Sequence, residues 1–245
     1  MLSNNQYLRQ ESDREKEGSF LLKSSPTAFR ETVLNIDNIC VNFGDLQALK
    51  NIHLEIFRGE ILFVTGSSGA GKTTLMKLLG GFIKPSKGKL SVNLDKDALM
   101  APIFQDLHLL ENQSIEQNLF TSFDRKLYKS KSDFSEDLID FAKVLGIYDR
   151  LNMKVKDANG GLKQKVAFLR AMLAKPDVLL ADEPTSSLDY QNAKKMFDIL
   201  SLYNTKQALT VIWATHNKDL IKRFNGRIIH LDQGKLIHSG HACFI

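Results

Sequence analysis

Ile61-Leu62-Phe63-Val64-Thr65-Gly66-Ser67-Ser68-Gly69-Ala70-Gly71-Lys72-Thr73-Thr74-Leu75 sets the architecture of this chain. The first four residues are a short, wholly apolar run, the pattern of a strand buried on both faces of a parallel sheet. Glycines end the run, and Leu75, Leu78 and Leu79 then keep helical spacing. Between strand and helix, Gly66 to Thr73 reads G-x-x-x-x-G-K-T. Glycine lets backbone N–H groups approach phosphate oxygens closely. Lys72 reaches the β- and γ-phosphates, and Thr73 offers its hydroxyl to Mg²⁺. The helix that starts here aims its positive end at the phosphates. A glycine turn by itself binds nothing; the strand before and the helix after give this one the required context.

Two more apolar runs of the same kind follow, Val178-Leu179-Leu180-Ala181 and Val211-Ile212-Trp213-Ala214. Helical spacing joins Phe134, Leu138, Phe141, Ala142 and Leu145, and again Ala193, Met196, Phe197 and Leu200. Upstream, Val33, Leu34, Ile36, Ile39, Val41 and Phe43 suggest strands at the start of a sheet. Arg227–Leu231 and Lys235–His238, joined by Asp232-Gln233-Gly234, read as a late hairpin. Strands alternating with helices imply an α/β fold with a parallel central sheet.

The 245 residues fit one α/β domain, or a large and a small lobe. With 43% hydrophobic and 25% charged residues the composition is that of a soluble globular protein. Cys40 and Cys243 stand far apart in no metal-ligand spacing, so no disulfide framework is implied and a reducing compartment fits. No apolar run approaches the roughly 18 residues that span a bilayer, and the polar, charged start shows no secretory signal. The expectation is a cytoplasmic protein. A net charge of +5 suits nucleic acid or anionic lipid, and equally a merely solvated surface. Lys126, Lys129 and Lys131 read as a solvated loop. Residues 1–30, polar and without apolar periodicity, read as a disordered tail before a domain over residues 31–245.

Asp182-Glu183 ends the strand Val178–Ala181. The first carboxylate can hold Mg²⁺ beside the glycine-rich loop, and the second can orient and polarise a water. Read singly, His216, Gln105 and Phe43 are uninformative: a local hydrogen-bonding group, a loop amide and a core aromatic.

Taken together and in order, these pieces resemble the nucleotide-binding domain of ABC transporters, from about Val33 to Ser239. The matching positions are Phe43 for the aromatic A-loop and Gly66–Thr74 for Walker A. Gln105 matches the Q-loop and Asn159-Gly160-Gly161 the signature. Asp182-Glu183 matches Walker B, Ser187-Leu188-Asp189 the D-loop and His216 the H-loop. The resemblance implies a P-loop fold with a parallel core sheet, an antiparallel β subdomain and a helical lobe over about 106–165. It implies ATP and Mg²⁺ as cofactors and hydrolysis to ADP and phosphate. Phe43 would stack on adenine; Gly66, Ser67, Ser68, Gly69, Ala70, Gly71, Lys72, Thr73 and Thr74 would cradle the phosphates. Thr73, Gln105 and Asp182 would attend the metal, with Lys72, Gln105, Glu183 and His216 as the catalytic set. Asn159, Gly160, Gly161 and Asp189 would complete the site of a second copy in an ATP-closed homodimer. The lobe would dock on a membrane subunit, holding the protein at the inner face of the membrane.

Within the family, Phe104–Leu110, Thr65–Lys72 and Leu179–Thr185 look most like the cell-division ATPase FtsE. That likeness implies an FtsX-like polytopic membrane partner and control of cell-wall hydrolysis. The ATPases of lipoprotein release and macrolide export are the rivals. An ATP-binding scaffold at the division site is a second class of function. A soluble protein acting on DNA or ribosomes is disfavoured, since no long coiled-coil insertion or second cassette is present, and no nucleic-acid partner is expected.

Two departures bear on activity. Where the family signature begins Leu-Ser-Gly-Gly-Gln, this chain has Ala158-Asn159-Gly160-Gly161-Leu162. Asn159 keeps a donor, Leu162 keeps none of glutamine's polar contacts, and slower turnover with retained ATP binding follows. The stretch from Gly88 to Gln105 is also short, which predicts a trimmed antiparallel arm beside the nucleotide.

Overall fold

The computed structural model describes residues 31–217, 221–222 and 225–242. The readings of residues 1–30 as a tail and of Cys243 lie outside them.

Two sheets form the frame. The smaller is antiparallel, in the order β2 (Leu46–Phe57), β1 (Thr32–Phe43), β4 (Lys87–Val92). The larger runs β5 (Met100–Ile103), β6 (Val178–Asp182), β7 (Thr210–Ala214), β3 (Ile61–Thr65), β8 (Gly226–Asp232), β9 (Lys235–Ala242). Its strands are parallel from β5 to β8, and β9 closes the edge antiparallel to β8. This is the expected parallel core with an antiparallel subdomain and a late hairpin. β1 is one strand, not several. A register shift between Ile36 and Ile39, with Asn38 at φ +50°, interrupts the alternation that a reader of the sequence follows. After β4 the chain passes directly to β5, so β4 is the outer strand of the small sheet.

The apolar runs are explained by two cores, one on each side of the large sheet. Phe63, Leu179, Ala181, Val211 and Trp213 face a core completed by α3 (Lys131–Val144), α4 (Gly160–Leu173) and α5 (Tyr190–Gln207). Leu62, Val64, Val178, Leu180, Ile212 and Ala214 face the other, completed by α1 (Lys72–Leu79) and the inner faces of β1 and β2. Successive side chains along each strand enter opposite cores, so neither face tolerates a polar residue. Trp213 is fully buried, its ring 4.4 Å from that of Phe197 on α5.

The helical lobe contains the short α2 (Ile115–Phe120), α3 and the start of α4. Ser114 caps α2 in a capping box with Gln117, and Ser130 caps α3. The expected lobe end near residue 165 falls inside α4, which continues to Leu173 and carries the lobe's core into that of the sheet.

Candidate nucleotide site

The strand order places β6, β7 and β3 side by side. The glycine-rich loop leaves the carboxyl end of β3, Asp182-Glu183 ends β6, and Thr215-His216 follows β7. Backbone bonds hold these ends level: Thr215 N–H donates to Val64 O at 3.0 Å and Glu183 N–H to Ala214 O at 2.9 Å. Three segments spread between residues 66 and 216 therefore meet at the carboxyl edge of a parallel sheet, where open α/β sheets bind ligands.

α1 differs from its neighbours at its first turn. α2, α3, α4 and α5 each have a side-chain cap, from Ser114, Ser130, Asn159 and Asp189. α1 has none: Gly71 precedes it at φ +106°, and its leading N–H groups have no side-chain acceptor. That leaves a positive helix end for an anion. The glycines are obligatory here. A Cβ on Gly66 (φ +150°) would collide with Leu231 O, and one on Gly71 would stand 2.8 Å from Ala48 O.

Lys72 is 6% exposed, and its Nζ donates to Gly66 O at 2.9 Å and Ser67 O at 3.0 Å. Glu183 Oε1 lies 3.7 Å from that Nζ, and Glu183 Oε2 lies 3.2 Å from His216 Nδ1. Glu183 thus sits between the loop lysine and the histidine, its backbone at φ +51°, a conformation that costs energy for a residue other than glycine. Asp182 is 2% exposed, and neither carboxylate oxygen has a hydrogen-bond partner. Burial pushes its pKa up; the nearby Thr73 hydroxyl pulls the other way without reaching full hydrogen-bond geometry. An orphaned buried carboxylate beside a hydroxyl on a helix's first turn is a donor set for a hard cation with oxygen ligands. Asp182 and Thr73 therefore fit Mg²⁺, which when bound neutralises charge on the phosphate oxygens.

A cleft of about 600 Å³ runs from Thr73, Thr74 and Gln105 to Phe43, and Ser68, Gly69, Gly71, Lys72 and Glu183 also line it. Gly66, Ser67 and Ala70 form the turn beneath. Phe43 is 52% exposed, so it is an aromatic face open to the cleft and not a core residue. Gln47, Lys50, Gln233 and Gly234 belong to the same wall and had no sequence signal. They arrive through strand pairing and a distant turn.

The signature residues divide between two further cavities. Asn159, Gly161 and Asp189 line a separate cavity of about 220 Å³. Gly160 faces a cleft of about 320 Å³ that also carries Gln105, Asp182 and Glu183. Asn159 Oδ1 accepts from Leu162 N–H at 2.9 Å and caps α4, which leaves its Nδ2 amide as the donor on an exposed residue. Leu162 is 5% exposed and packs into the helical core. Both Asp189 oxygens bond within the chain, to Asn192 N–H and Nδ2 at 2.8 Å each, and these bonds lower its pKa. Gln164 adds a clamp that the sequence did not signal. Its Nε2 donates to Ser186 Oγ at 2.7 Å and its Oε1 accepts from Ser187 N–H at 3.0 Å, tying α4 to the segment after Glu183.

Fold and site together define a P-loop ATPase. A model of the ABC transporter family matches residues 49–186, more than half of the chain. The phosphonates import ATP-binding protein PhnC of Fusobacterium nucleatum is 34% identical over 84% of this chain and 91% of its own. The methionine import ATP-binding protein MetN of Clostridioides difficile is 32% identical over 85% and 68%. The ATP-binding cassette MJ0796, a dimer in a post-hydrolysis state bound to ADP and Pi, superposes with a TM-score of 0.74 at 25% identity, over 86% of this chain and 100% of its own. This chain belongs to the ABC transporter family. It is the ATP-binding subunit of such a system and an ATPase that uses ATP and Mg²⁺.

Proposed function

We propose that this subunit converts ATP binding into closure of a homodimer and passes that movement to a membrane-embedded partner. In the closed dimer each glycine-rich loop faces the α4 start of the other copy. Asn159 Nδ2 and the Gly160 and Gly161 amides then donate to the γ-phosphate held opposite, with Asp189 reaching across. Phe43 stacks on adenine. Lys72 leaves the carbonyls of Gly66 and Ser67 for the β- and γ-phosphates. Glu183 orients the attacking water and accepts its proton, His216 holds the transferred group, and Gln105 senses both. Positioning and electrostatics supply most of the rate. The observation that carries this reading is the placement of Glu183 between Lys72 and His216 at the meeting point of three strand ends.

A groove of about 390 Å³ between β5, the segment after Gln105 and α4 is the docking place we assign to the partner. Phe82, Leu99, Phe104 and Leu107 give it an apolar floor, and Arg170 fixes its rim by donating to Leu107 O at 2.7 Å and His108 O at 2.8 Å. Among the described residues no helix is long and apolar enough to cross a membrane, and in this reading the partner supplies the membrane attachment. The import ATPases PhnC and MetN favour a permease that brings a small solute inward. The likeness of Phe104–Leu110 and Leu179–Thr185 to FtsE favours instead an FtsX-like polytopic protein.

The test is a pull-down of the Glu183→Gln protein with ATP from detergent-solubilised membranes, with mass spectrometry of what co-purifies. A many-span import permease supports the first partner class. A protein with few spans and a large outward domain supports the second. Recovery of no membrane protein would overturn the coupling proposal itself.

A further inference from the structure

The start of β2 forms part of the nucleotide cleft. Ala48 O presses on Gly71, Gly234 N–H donates to Ala70 O at 3.0 Å, and Lys50 N–H donates to Gly234 O at 2.8 Å. Backbone contacts thus lock the phosphate loop, the β8–β9 turn and β2 into one wall. Lys50 lines the cleft from that wall, in the same cavity as Phe43 and Thr73. Among the described residues, two lysines and one carboxylate line the cleft. The carboxylate, Glu183, belongs to Lys72 and His216. Among the described residues no carboxylate lies within 4.0 Å of the Lys50 ammonium. A partly buried cation without countercharge in a cavity that receives a polyanion has one evident use.

We infer that Lys50 is a second nucleotide-binding cation, which meets the inner phosphates of the polyphosphate chain while Lys72 takes the outer end. Lys72 is anchored by Gly66 O and Ser67 O at the mouth of α1, next to Glu183. Lys50 stands on β2, whose start at Leu46 pairs with Phe43. Its contact is therefore common to ATP and ADP, and it is made equally in the ground state and the transition state. A contact of that kind changes affinity and leaves the maximal rate alone. The inference rests on ATP binding in this cleft, and the wild-type titration checks that separately.

The experiment is calorimetric titration of ATP, ADP and adenosine into the wild-type chain, Lys50→Ala, Lys50→Met and Lys50→Arg. Loss of one charge-assisted contact predicts a fall of about tenfold in affinity for ATP and ADP alike in the Ala and Met variants. Adenosine affinity stays at the wild-type level, and Arg retains affinity for both nucleotides. Met keeps the aliphatic stem, so it separates charge from packing should the Ala variant melt early. Equal ATP affinity in the Met variant overturns the inference. So does a loss confined to ATP, which would place Lys50 at the γ-phosphate, or a loss that includes adenosine, which would place it at the base.

Discussion

Replacing Asp182 by Asn is expected to stabilise the unliganded protein while abolishing its chemistry. Asp182 is 2% exposed with both oxygens unpartnered, so without a cation the fold carries a buried, unsatisfied charge. Leaving such a group unpaired costs about 1–3 kcal/mol, more when charged. For a domain of this size each kcal/mol moves Tm by roughly 2–4 °C, so the Asn variant in EDTA should melt a few degrees to about 10 °C higher. The pH dependence has a definite sign. Burial raises the folded-state pKa above its ordinary value of 3.8. The folded state therefore binds the proton more tightly than the unfolded chain, and stability is fully present below that ordinary value. It is lost as pH rises through the folded-state pKa. The gap between variant and wild type should be small near pH 4 and widen as pH rises through the raised folded-state pKa. Adding Mg²⁺ and ATP should stabilise the wild type, which then binds a ligand only its folded state holds, and leave the variant largely unmoved. Thermal unfolding across this pH range, with EDTA or Mg-ATP, makes the measurement. A wild type that melts at or above the variant in EDTA at pH 8 would refute the reasoning that Asp182 waits for a cation.

Further expectations concern the two ends of the nucleotide. Phe43→Ala should leave unliganded Tm nearly unchanged, since the ring is half exposed, and weaken ATP binding roughly tenfold or more, base stacking on an aromatic being worth about 1–3 kcal/mol; equilibrium titration reads this. Asn159→Ser should raise steady-state turnover, because it restores a hydroxyl donor and still caps α4. Asn159→Ala should lower turnover and cost about 1 kcal/mol of stability through loss of the cap, read by ATPase assay and denaturant melts together.

The parallel core was legible because its strands are buried on both faces. No polar residue interrupts Leu62–Val64, Val178–Ala181 or Val211–Ala214, and only that placement permits such runs. The phosphate loop was legible because its chemistry is local in sequence. Phe43, Gln105 and His216 carried no signal singly and became readable only as an ordered set. What stayed hidden depends on long-range pairing. Lys50 and Gln233 reach the cleft because β2 and the β8–β9 turn pack on the loop through Ala48, Gly71 and Gly234, and nothing near them in sequence announces that contact. The Gln164 clamp joins residues across the helix-to-strand connection. The isolation of Asp182 is a property of what surrounds it, which spacing does not encode. The single long β1 was obscured by the irregularity at Asn38, where alternation breaks without the strand ending.

The central claim is that ATP closes two copies around shared sites and that Glu183 drives hydrolysis. It is tested most directly by the size of the Glu183→Gln protein with and without Mg-ATP, alongside its turnover. Removing a positioned general base costs about 10²–10⁴-fold in rate, so the variant should bind ATP, become a dimer only when ATP is present, and lose turnover by at least that lower bound. A variant that hydrolyses ATP at the wild-type rate, or that remains monomeric with ATP bound, would contradict the account.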